Sequence, residues 1–465
     1  MQTRRDFMKW MGAISLGFTG LQAWAGNPSE MDLLSNASGD MPGFGPLQSY
    51  DEVLNLPKGF SYKVIAKKGD IMNDGLLLPG RADGMAAFEG RKGKVILIRN
   101  HENSAHNVEE SPFGEKNKLL NKIRKEKFFD FGFGENPHIG GTTTTVYNET
   151  TQKVDSVFIS LIGTSRNCAG GMTPWGSWIT CEEDFRNPDE KNEKGHGYNF
   201  EVPATEYIKI KYPLPLRAMG KFNHEAVCVD PKTGIVYQTE DRHEGLIYRF
   251  IPKVRGKLHE GGRLQALAFV WKESMDTRHW KEKDTLKPGT RYAVKWIDMD
   301  GADGAEDDLR LRGFEKGAAC FARGEGMWFG NGELYFACTN GGNHKTGQIF
   351  KYIPSKYEGT SREKEKGNEP RLELFVEPND TKLLRYADNL TVAPWGDIVF
   401  CEDGGKKPRI VGITPKGEFY QLAENIGYAS ELAGVCFSPS GKTLFVNIQE
   451  AGLTLAITGP WHKRK

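Results

Sequence analysis

Short apolar runs alternate with turn residues along most of this chain, and one arrangement of the two recurs. Each copy contains a polar residue, a small residue, a short apolar strand, a glycine-containing turn, a second apolar strand and a closing polar cluster. Glycine in a turn between two apolar strands is typical of a β-hairpin. Copies of this predicted hairpin lie at residues 81–102, 166–184, 222–242, 323–342, 386–405 and 430–449.

Six copies of one hairpin indicate a repeat architecture. The turn glycines are 83, 58, 98, 64 and 45 residues apart, and the shortest interval matches the length of one four-stranded propeller blade. We therefore predict an all-β fold, a six-bladed β-propeller with peripheral insertions. A β-sandwich of repeated hairpins is the alternative. Residues 114–128 are predicted to be a helix-compatible insertion and residues 355–371 a solvated charged loop.

The repeat also predicts where the polar residues of the hairpins meet. In a propeller the innermost strand of each blade lines the central channel, and the two ends of a hairpin lie side by side. The opening residue and the closing cluster of every copy should therefore surround one mouth of the channel. The opening set is Asp83, Cys168, Glu225, Glu325, Asp388 and Glu431. The closing set is Asn100-His101-Glu102, Glu182-Glu183-Asp184, Glu240-Asp241, Thr339-Asn340, Glu402-Asp403 and Asn447.

So many carboxylates at one place need a counter-charge, unless they are simply solvated loop ends, which is the alternative. Carboxylate and amide oxygens suit calcium, whereas a thiolate such as that of Cys168 suits a transition metal such as iron. The ring therefore predicts mixed metals. Arg323 stands at the same mouth, where its guanidinium could hold a phosphate through two hydrogen bonds or form a salt bridge to a neighbouring acid.

The N-terminal residues have the pattern of an export signal. The Arg4-Arg5 pair precedes a weakly apolar run that ends at Ala23-Trp24-Ala25. This pattern predicts a twin-arginine signal over residues 1–25, with an ordinary secretory signal or a membrane anchor as the alternatives. The run is too short and glycine-rich for a stable membrane span. We expect a periplasmic or secreted protein that uses the twin-arginine export machinery, with residues 26–465 as a single propeller domain.

The balance of charged residues and the cysteine content restrict the binding partners and metal sites that the chain could have. The 465 residues contain 62 basic and 61 acidic side chains, a net charge of +1, which argues against a nucleic-acid polymer as partner. The seven cysteines form no CxxC pair and no zinc-type spacing. Most of them lie in apolar strand-like runs and are expected to be buried as small hydrophobic residues. Cys168 differs, because it lies among Asn, Ala and Gly at a turn.

Four stretches resemble the PhoX-type alkaline phosphatases. They are NCAGGMTPWGSWITCEED at 167–184, KFNHEAVCVDP at 221–231, RGEGMWF at 323–329 and the pair Asp388-Asn389. The resemblance implies a six-bladed propeller whose active site combines iron and calcium and hydrolyses phosphate monoesters. It also implies that Cys168 is an iron ligand together with Glu183 and Glu225, and that Arg323 contacts phosphate. The acids that would complete the iron and calcium shells are Glu102, Asp241, Glu325, Asp388 and Glu402.

The sequence leaves several alternatives open. Glu182 and Glu183 are adjacent, and the pattern does not decide which of them points inward. In the mechanism we expect, a metal-bound oxo or hydroxide species is the nucleophile, and calcium and Arg323 neutralise charge on the phosphoryl oxygens. Rival functions are a calcium-dependent lactonase or phosphodiesterase and a non-catalytic propeller stabilised by calcium. Cys168 among carboxylates discriminates between these functions, because a scaffold would not need it.

Overall fold

The computed structural model describes residues 42–281 and 285–465. Within these ranges the chain forms twenty-six β-strands, one α-helix, α1 (Leu309–Glu315), and several short 3-10 turns. The predicted export signal, residues 1–25, lies outside the described residues. Among the described helices none is long and apolar enough to cross a membrane.

The strands of the described ranges form five hydrogen-bonded sheets. One four-stranded sheet contains, in spatial order, β4 (Ala82–Glu89), β5 (Lys94–His101), β6 (Gly140–Asn148) and β7 (Lys153–Thr164). A three-stranded sheet contains β8 (Asn167–Met172), β9 (Ser177–Glu182) and β10 (Asn199–Pro203). A second four-stranded sheet contains β24 (Leu432–Phe437), β25 (Thr443–Ile448), β26 (Leu453–Thr458) and β3 (Ser61–Lys67).

Two larger sheets complete the fold. A six-stranded sheet contains β1 (Leu47–Ser49), β2 (Leu54–Pro57), β23 (Phe419–Asn425), β22 (Arg409–Ile413), β21 (Ile398–Glu402) and β20 (Ala387–Val392). The nine-stranded sheet begins with β11 (His224–Val229), β12 (Val236–Glu240), β13 (Ile247–Pro252), β14 (Gly262–Phe269) and β15 (Arg291–Asp298). It continues with β19 (Arg371–Val376), β18 (Gln348–Ile353), β17 (Glu333–Cys338) and β16 (Gly324–Gly330).

The arrangement is propeller-like, which confirms the all-β prediction. The first strand of each predicted hairpin packs against the next, in the order β4, β8, β11, β16, β20 and β24, and β24 packs against β4. The sheets nevertheless number five rather than six. The reason is that β15 pairs with β19 and thereby joins β11–β14 to β16–β19 in one sheet.

The N-terminal strands complete sheets that begin near the C-terminus. Strand β3 pairs antiparallel with β26, and β2 pairs with β23. These pairings cover strand edges that would otherwise expose unpaired backbone groups. The two ends of the described chain are therefore held in the same part of the fold.

The two predicted insertions differ from expectation. Residues 114–128 form separate 3-10 turns rather than a helix, and Ile123 and Phe128 pack into a hydrophobic cluster. Residues 355–371 are not fully solvated, because Glu358 and Glu363 are buried. Both carboxylates pair with the buried guanidinium of Arg249, which supplies the counter-charge that a buried acid needs.

Candidate active site

A β-bulge interrupts the first strand of every predicted hairpin at the same place. The shifts in register lie between residues 82 and 85, 167 and 170, 224 and 227, 324 and 327, 387 and 390, and 433 and 436. A bulge redirects the side chain of its extra residue and is frequent beside active sites. In five hairpins the bulge begins with a titratable side chain, and the five are Asp83, Cys168, Glu225, Glu325 and Asp388.

The sixth hairpin departs from the predicted alignment. Its bulge contains Gly434, not Glu431, and the backbone N–H of Gly434 donates to the side-chain oxygen of Asn389. Glu431 reaches the same region from outside the bulge, because Asp83, Asp388 and Asp403 all act on its titration. The sixth copy therefore contributes a carboxylate by a different geometry.

Two groups of carboxylates are close enough to share cations. In one group, ligand atoms of Glu183, Glu225 and Asp241 lie within 4.8 Å of one another. In the other, ligand atoms of Glu225, Glu325 and Asp388 lie within the same limit. Glu225 belongs to both groups, so one carboxylate can bridge two neighbouring cation positions.

Burial and mutual repulsion shift the pKa values of these acids in the direction that a bound cation would oppose. Burial, together with the charges of neighbouring acids, raises the pKa of Glu183 to about 8 and that of Asp388 to about 7. Burial and the same acids raise the pKa of Glu225 and Glu325 well above the usual range. A hard cation among the oxygens would remove this repulsion. The unpartnered, buried Oδ1 of Asp83 is a further oxygen without a donor in the described structure.

Arg323 lies between the two groups. Its Nε and Nη2 donate to the two carboxylate oxygens of Asp241 at 2.7 and 2.8 Å, and Nη2 also donates to Glu325 at 2.8 Å. These charges outweigh the effect of burial and raise the pKa of Arg323 further. The guanidinium therefore stays charged at the edge of the cluster, with its side chain 30% exposed.

Cys168 lies beside Glu225 and Glu183 of the cluster. Its Sγ is buried and donates to the backbone oxygen of His224 at 3.3 Å. Burial, and next the charges of Glu225 and Glu183, raise the pKa of the thiol well above its usual range. A thiol in this position ionises only if a cation is beside it. The residues present thus fit a centre of oxygen ligands with one sulfur ligand.

The chain matches the alkaline phosphatase PhoX family over residues 42–452. This chain belongs to that family. The structure of Pseudomonas fluorescens PhoX in complex with vanadate, a transition state analogue, has a TM-score of 0.65 and 18% identity, covering 90% of this chain and 98% of that one.

Other similarities are weaker. A gluconolactonase from Xanthomonas campestris is 13% identical with a TM-score of 0.40, over 90% of this chain and 98% of its own. No curated protein sequence matches the chain. The PhoX family therefore accounts for the fold and for the class of enzyme, and the neighbours of lower TM-score add nothing to either.

In this PhoX family member, Glu183 and not Glu182 joins the carboxylate cluster. Glu182 is fully buried on the other side of the strand. It accepts hydrogen bonds from the backbone N–H groups of Ser165, Gly197 and Tyr198. Because successive residues of a strand point to opposite faces, only one of the two adjacent glutamates can face the mouth.

Glu402, like Glu182, points away from the carboxylate cluster. It is fully buried and pairs with Arg409 and Arg385. The next residue, Asp403, is the one whose charge raises the pKa of Asp388 after burial. Of the predicted metal ligands, the structure brings the other seven toward one mouth, namely Glu102, Cys168, Glu183, Glu225, Asp241, Glu325 and Asp388.

Two arginines at this mouth were not among the predicted site residues. Arg81 pairs with Glu102, and Arg166 pairs with both Glu102 and Glu183. Each stands two residues before a bulge residue, as Arg323 does, and the φ angles of Arg81, Arg166 and Arg323 are 49°, 48° and 50°. This left-handed conformation costs about 1–3 kcal/mol for a residue other than glycine. The shared offset from the opening residue is the sequence signal that would have identified both.

Proposed function

We propose that this protein is an exported, metal-dependent alkaline phosphatase that hydrolyses phosphate monoesters. The observation that carries the proposal is that Glu225 is shared by two carboxylate groups with the guanidinium of Arg323 beside them. Cations held by these two carboxylate groups would, together with Arg323, attract the oxygens of a phosphoryl group. The vanadate bound to Pseudomonas fluorescens PhoX, a transition state analogue, supports the same chemistry here.

The ligand set supports both iron and calcium. Cys168 with Glu183 and Glu225 offers sulfur and oxygen ligands suited to iron, and Asp241, Glu325, Asp388 and Glu102 offer oxygen ligands suited to calcium. When bound, such metals would polarise the phosphoryl oxygens and acidify a water molecule to supply the nucleophile. Asp403, rather than Glu402, is the acid of its hairpin that we assign to the metal shells.

The chain's own residues orient the ester. Asp241 and Glu325 accept the hydrogen bonds of Arg323 Nε and Nη2, and among the described residues no hydrogen bond uses Nη1. The two hydrogens of Nη1 are therefore available to a phosphoryl oxygen. Because the guanidinium is already held in place by two carboxylates, binding phosphate requires little further ordering of its side chain.

The fold proposal remains a six-bladed propeller. The closed order of six first strands supports it, and so does the bulge shared by all six hairpins. In this interpretation the nine-stranded sheet is two blades joined at their outer edges by the pairing of β15 with β19.

Export through the twin-arginine route is part of the proposal. That route carries folded proteins, so iron could be inserted in the cytoplasm before oxidising conditions compete for the thiol of Cys168. The expected location is the periplasm or the medium. The physiological substrates would be small phosphate esters.

The test is to purify the exported protein, measure its metals and assay three substrates. An aryl phosphate monoester should be hydrolysed, and a calcium chelator should abolish the activity, while a phosphodiester and a lactone should be turned over poorly. Cys168→Ala should remove the activity and the iron without unfolding the protein. Iron-free protein that hydrolyses the diester or the lactone faster than the monoester would overturn the proposal.

A further inference from the structure

A second group of potential metal ligands lies apart from the carboxylate cluster. It contains Asp130, His138 and His196, all buried, with one ligand atom of each within 4.8 Å of the others. Asp130 and His138 come from the connection between β5 and β6, whereas His196 comes from the connection between β9 and β10. The group therefore joins two long connections that are distant in sequence.

Each imidazole is held by a hydrogen bond at one ring nitrogen, and the second nitrogen of His196 faces Asp130. His196 Nδ1 lies 2.7 Å from Glu182 Oε1, and His138 Nε2 lies 2.8 Å from Asn192 Oδ1. Metal-binding histidines usually donate their other ring N–H to a carboxylate or amide oxygen in this way. The remaining nitrogens, His196 Nε2 and His138 Nδ1, are thus the ones available to a metal.

His138 Nδ1 is a second, independent observation that favours a ligand at this group. The side chain of His138 is fully buried, and Nδ1 has no hydrogen-bond partner among the described residues. An unsatisfied buried polar atom costs about 1–3 kcal/mol. A ligand that accepts the lone pair of Nδ1 would remove that cost.

One distance in the group, between His196 and Asp130, agrees with a small tetrahedral ion. His196 Nε2 lies 3.3 Å from Asp130 Oδ2, which is long for a charge-assisted hydrogen bond. Two ligands of a tetrahedral zinc ion with bonds of about 2.0 Å are separated by about 3.3 Å. Asp130 Oδ1 meanwhile accepts the backbone N–H groups of Gly132 and Glu193, which fixes the carboxylate in place.

We propose that Asp130, His138 and His196 bind a structural divalent transition-metal ion of the zinc class. Two imidazoles and one carboxylate favour such an ion over calcium, which prefers oxygen ligands. A water molecule would complete the four-coordinate shell. The site is separate from the proposed iron and calcium ligands, and it stands whether or not the protein is a phosphomonoesterase.

The ion would stabilise the end of β9, directly before a residue of the carboxylate cluster. His196 holds Glu182 through Nδ1, and Glu183 is the next residue. Fixing His196 from its Nε2 side would fix the position of Glu182 and hence the direction of Glu183. The ion would also tie the connection at residues 130–138 to that at 192–197.

The decisive experiment is an anomalous difference map from crystals of the purified protein. The protein is produced in cells grown in zinc-supplemented medium, and diffraction is recorded above and below the zinc absorption edge. A peak within bonding distance of His138 Nδ1 and His196 Nε2 supports the proposal. His138→Gln should lose this peak and one equivalent of zinc by mass spectrometry. The matched control is His279→Gln, because His279 is buried and paired with Glu377 but belongs to none of the potential metal-ligand groups found among the described residues. That variant should keep the zinc.

The wild-type map decides the proposal even where His138→Gln does not accumulate. In the competing arrangement His196 is an imidazolium held between Glu182 and Asp130. It predicts no peak at the edge of zinc or of any other divalent transition metal, and nitrogen-15 NMR would find both ring nitrogens of His196 protonated. That pair of results would overturn the metal site.

Discussion

The guanidinium of Arg323 donates to both carboxylate oxygens of Asp241, at 2.7 and 2.8 Å, across 82 residues of sequence. The two residues belong to adjacent hairpins, and their pairing places a fixed positive charge beside the carboxylate groups that share Glu225. A two-point hydrogen bond of this kind holds an arginine in one orientation. The pairing therefore presents the remaining donors of Arg323 to a bound oxyanion.

Replacing this arginine by lysine should affect the reaction more than the fold. We expect Arg323→Lys to lower kcat/KM for an aryl phosphate by about 100-fold, because an ammonium cannot make two hydrogen bonds to Asp241 and still reach phosphate. Steady-state kinetics would measure the change. Arg242→Lys is the matched control, since Arg242 pairs with Asp307, and it should keep near-normal kinetics. Equal kinetics in both variants would remove Arg323 from the site.

Glu182, the last residue of β9, and Glu183, the residue after it, should respond differently to replacement by glutamine. Glu183→Gln should lower the metal content, whereas Glu182→Gln should lower the free energy of unfolding by about 2 kcal/mol, because its amide would leave backbone donors unpaired. Metal analysis would detect the first effect, and denaturant unfolding in the presence of a chelator would detect the second. A loss of active-site metal only in Glu182→Gln would reverse the assignment.

The same contrast applies to the pair Glu402 and Asp403. Glu402→Gln breaks a buried pair with Arg409 and should destabilise the fold by about 3 kcal/mol with little effect on calcium binding. Asp403→Asn should weaken calcium binding, since the charge of Asp403 faces Asp388. Calcium titration calorimetry and thermal unfolding of the two variants check this. Calcium affinity that falls only in Glu402→Gln would contradict it.

Without metals, the free energy of unfolding should decrease as pH rises. Most carboxylates in folded proteins have the opposite effect, because their pKa is lowered on folding. In the metal-free protein burial and neighbouring acids raise the pKa of Glu183 to about 8 and that of Asp388 to about 7, from ordinary values of 4.5 and 3.8. The folded state then binds more protons than the unfolded state, so stability is highest below the unfolded values and falls as pH rises through the folded ones.

We therefore expect the chelated protein to lose stability between about pH 5 and 8, and added calcium to restore it at the upper end. Denaturant unfolding across this range, with and without calcium, measures both parts. Stability of the chelated protein that stays level or rises with pH would show that these carboxylates do not repel one another.

Much of the fold follows from local patterns. The alternation of apolar and polar residues and the turn glycines predicted the hairpins, because both depend on neighbouring residues. The same alignment predicted that Glu225, Glu325 and Asp388 would meet. It missed the pairing of β15 with β19, since that contact joins strands whose sequences carry no sign of each other.

The sequence by itself determined the repeat, the kinds of side chain at the mouth and the family resemblance that the match over residues 42–452 confirms. Only the tertiary structure decided that Glu183 faces the cluster while Glu182 and Glu402 face away, and that Gly434 occupies the sixth bulge in place of Glu431. The physical reason is register. A shift of one residue along a strand moves every side chain to the other face, and the register at a bulge is fixed by pairing and packing with other strands rather than by the local sequence.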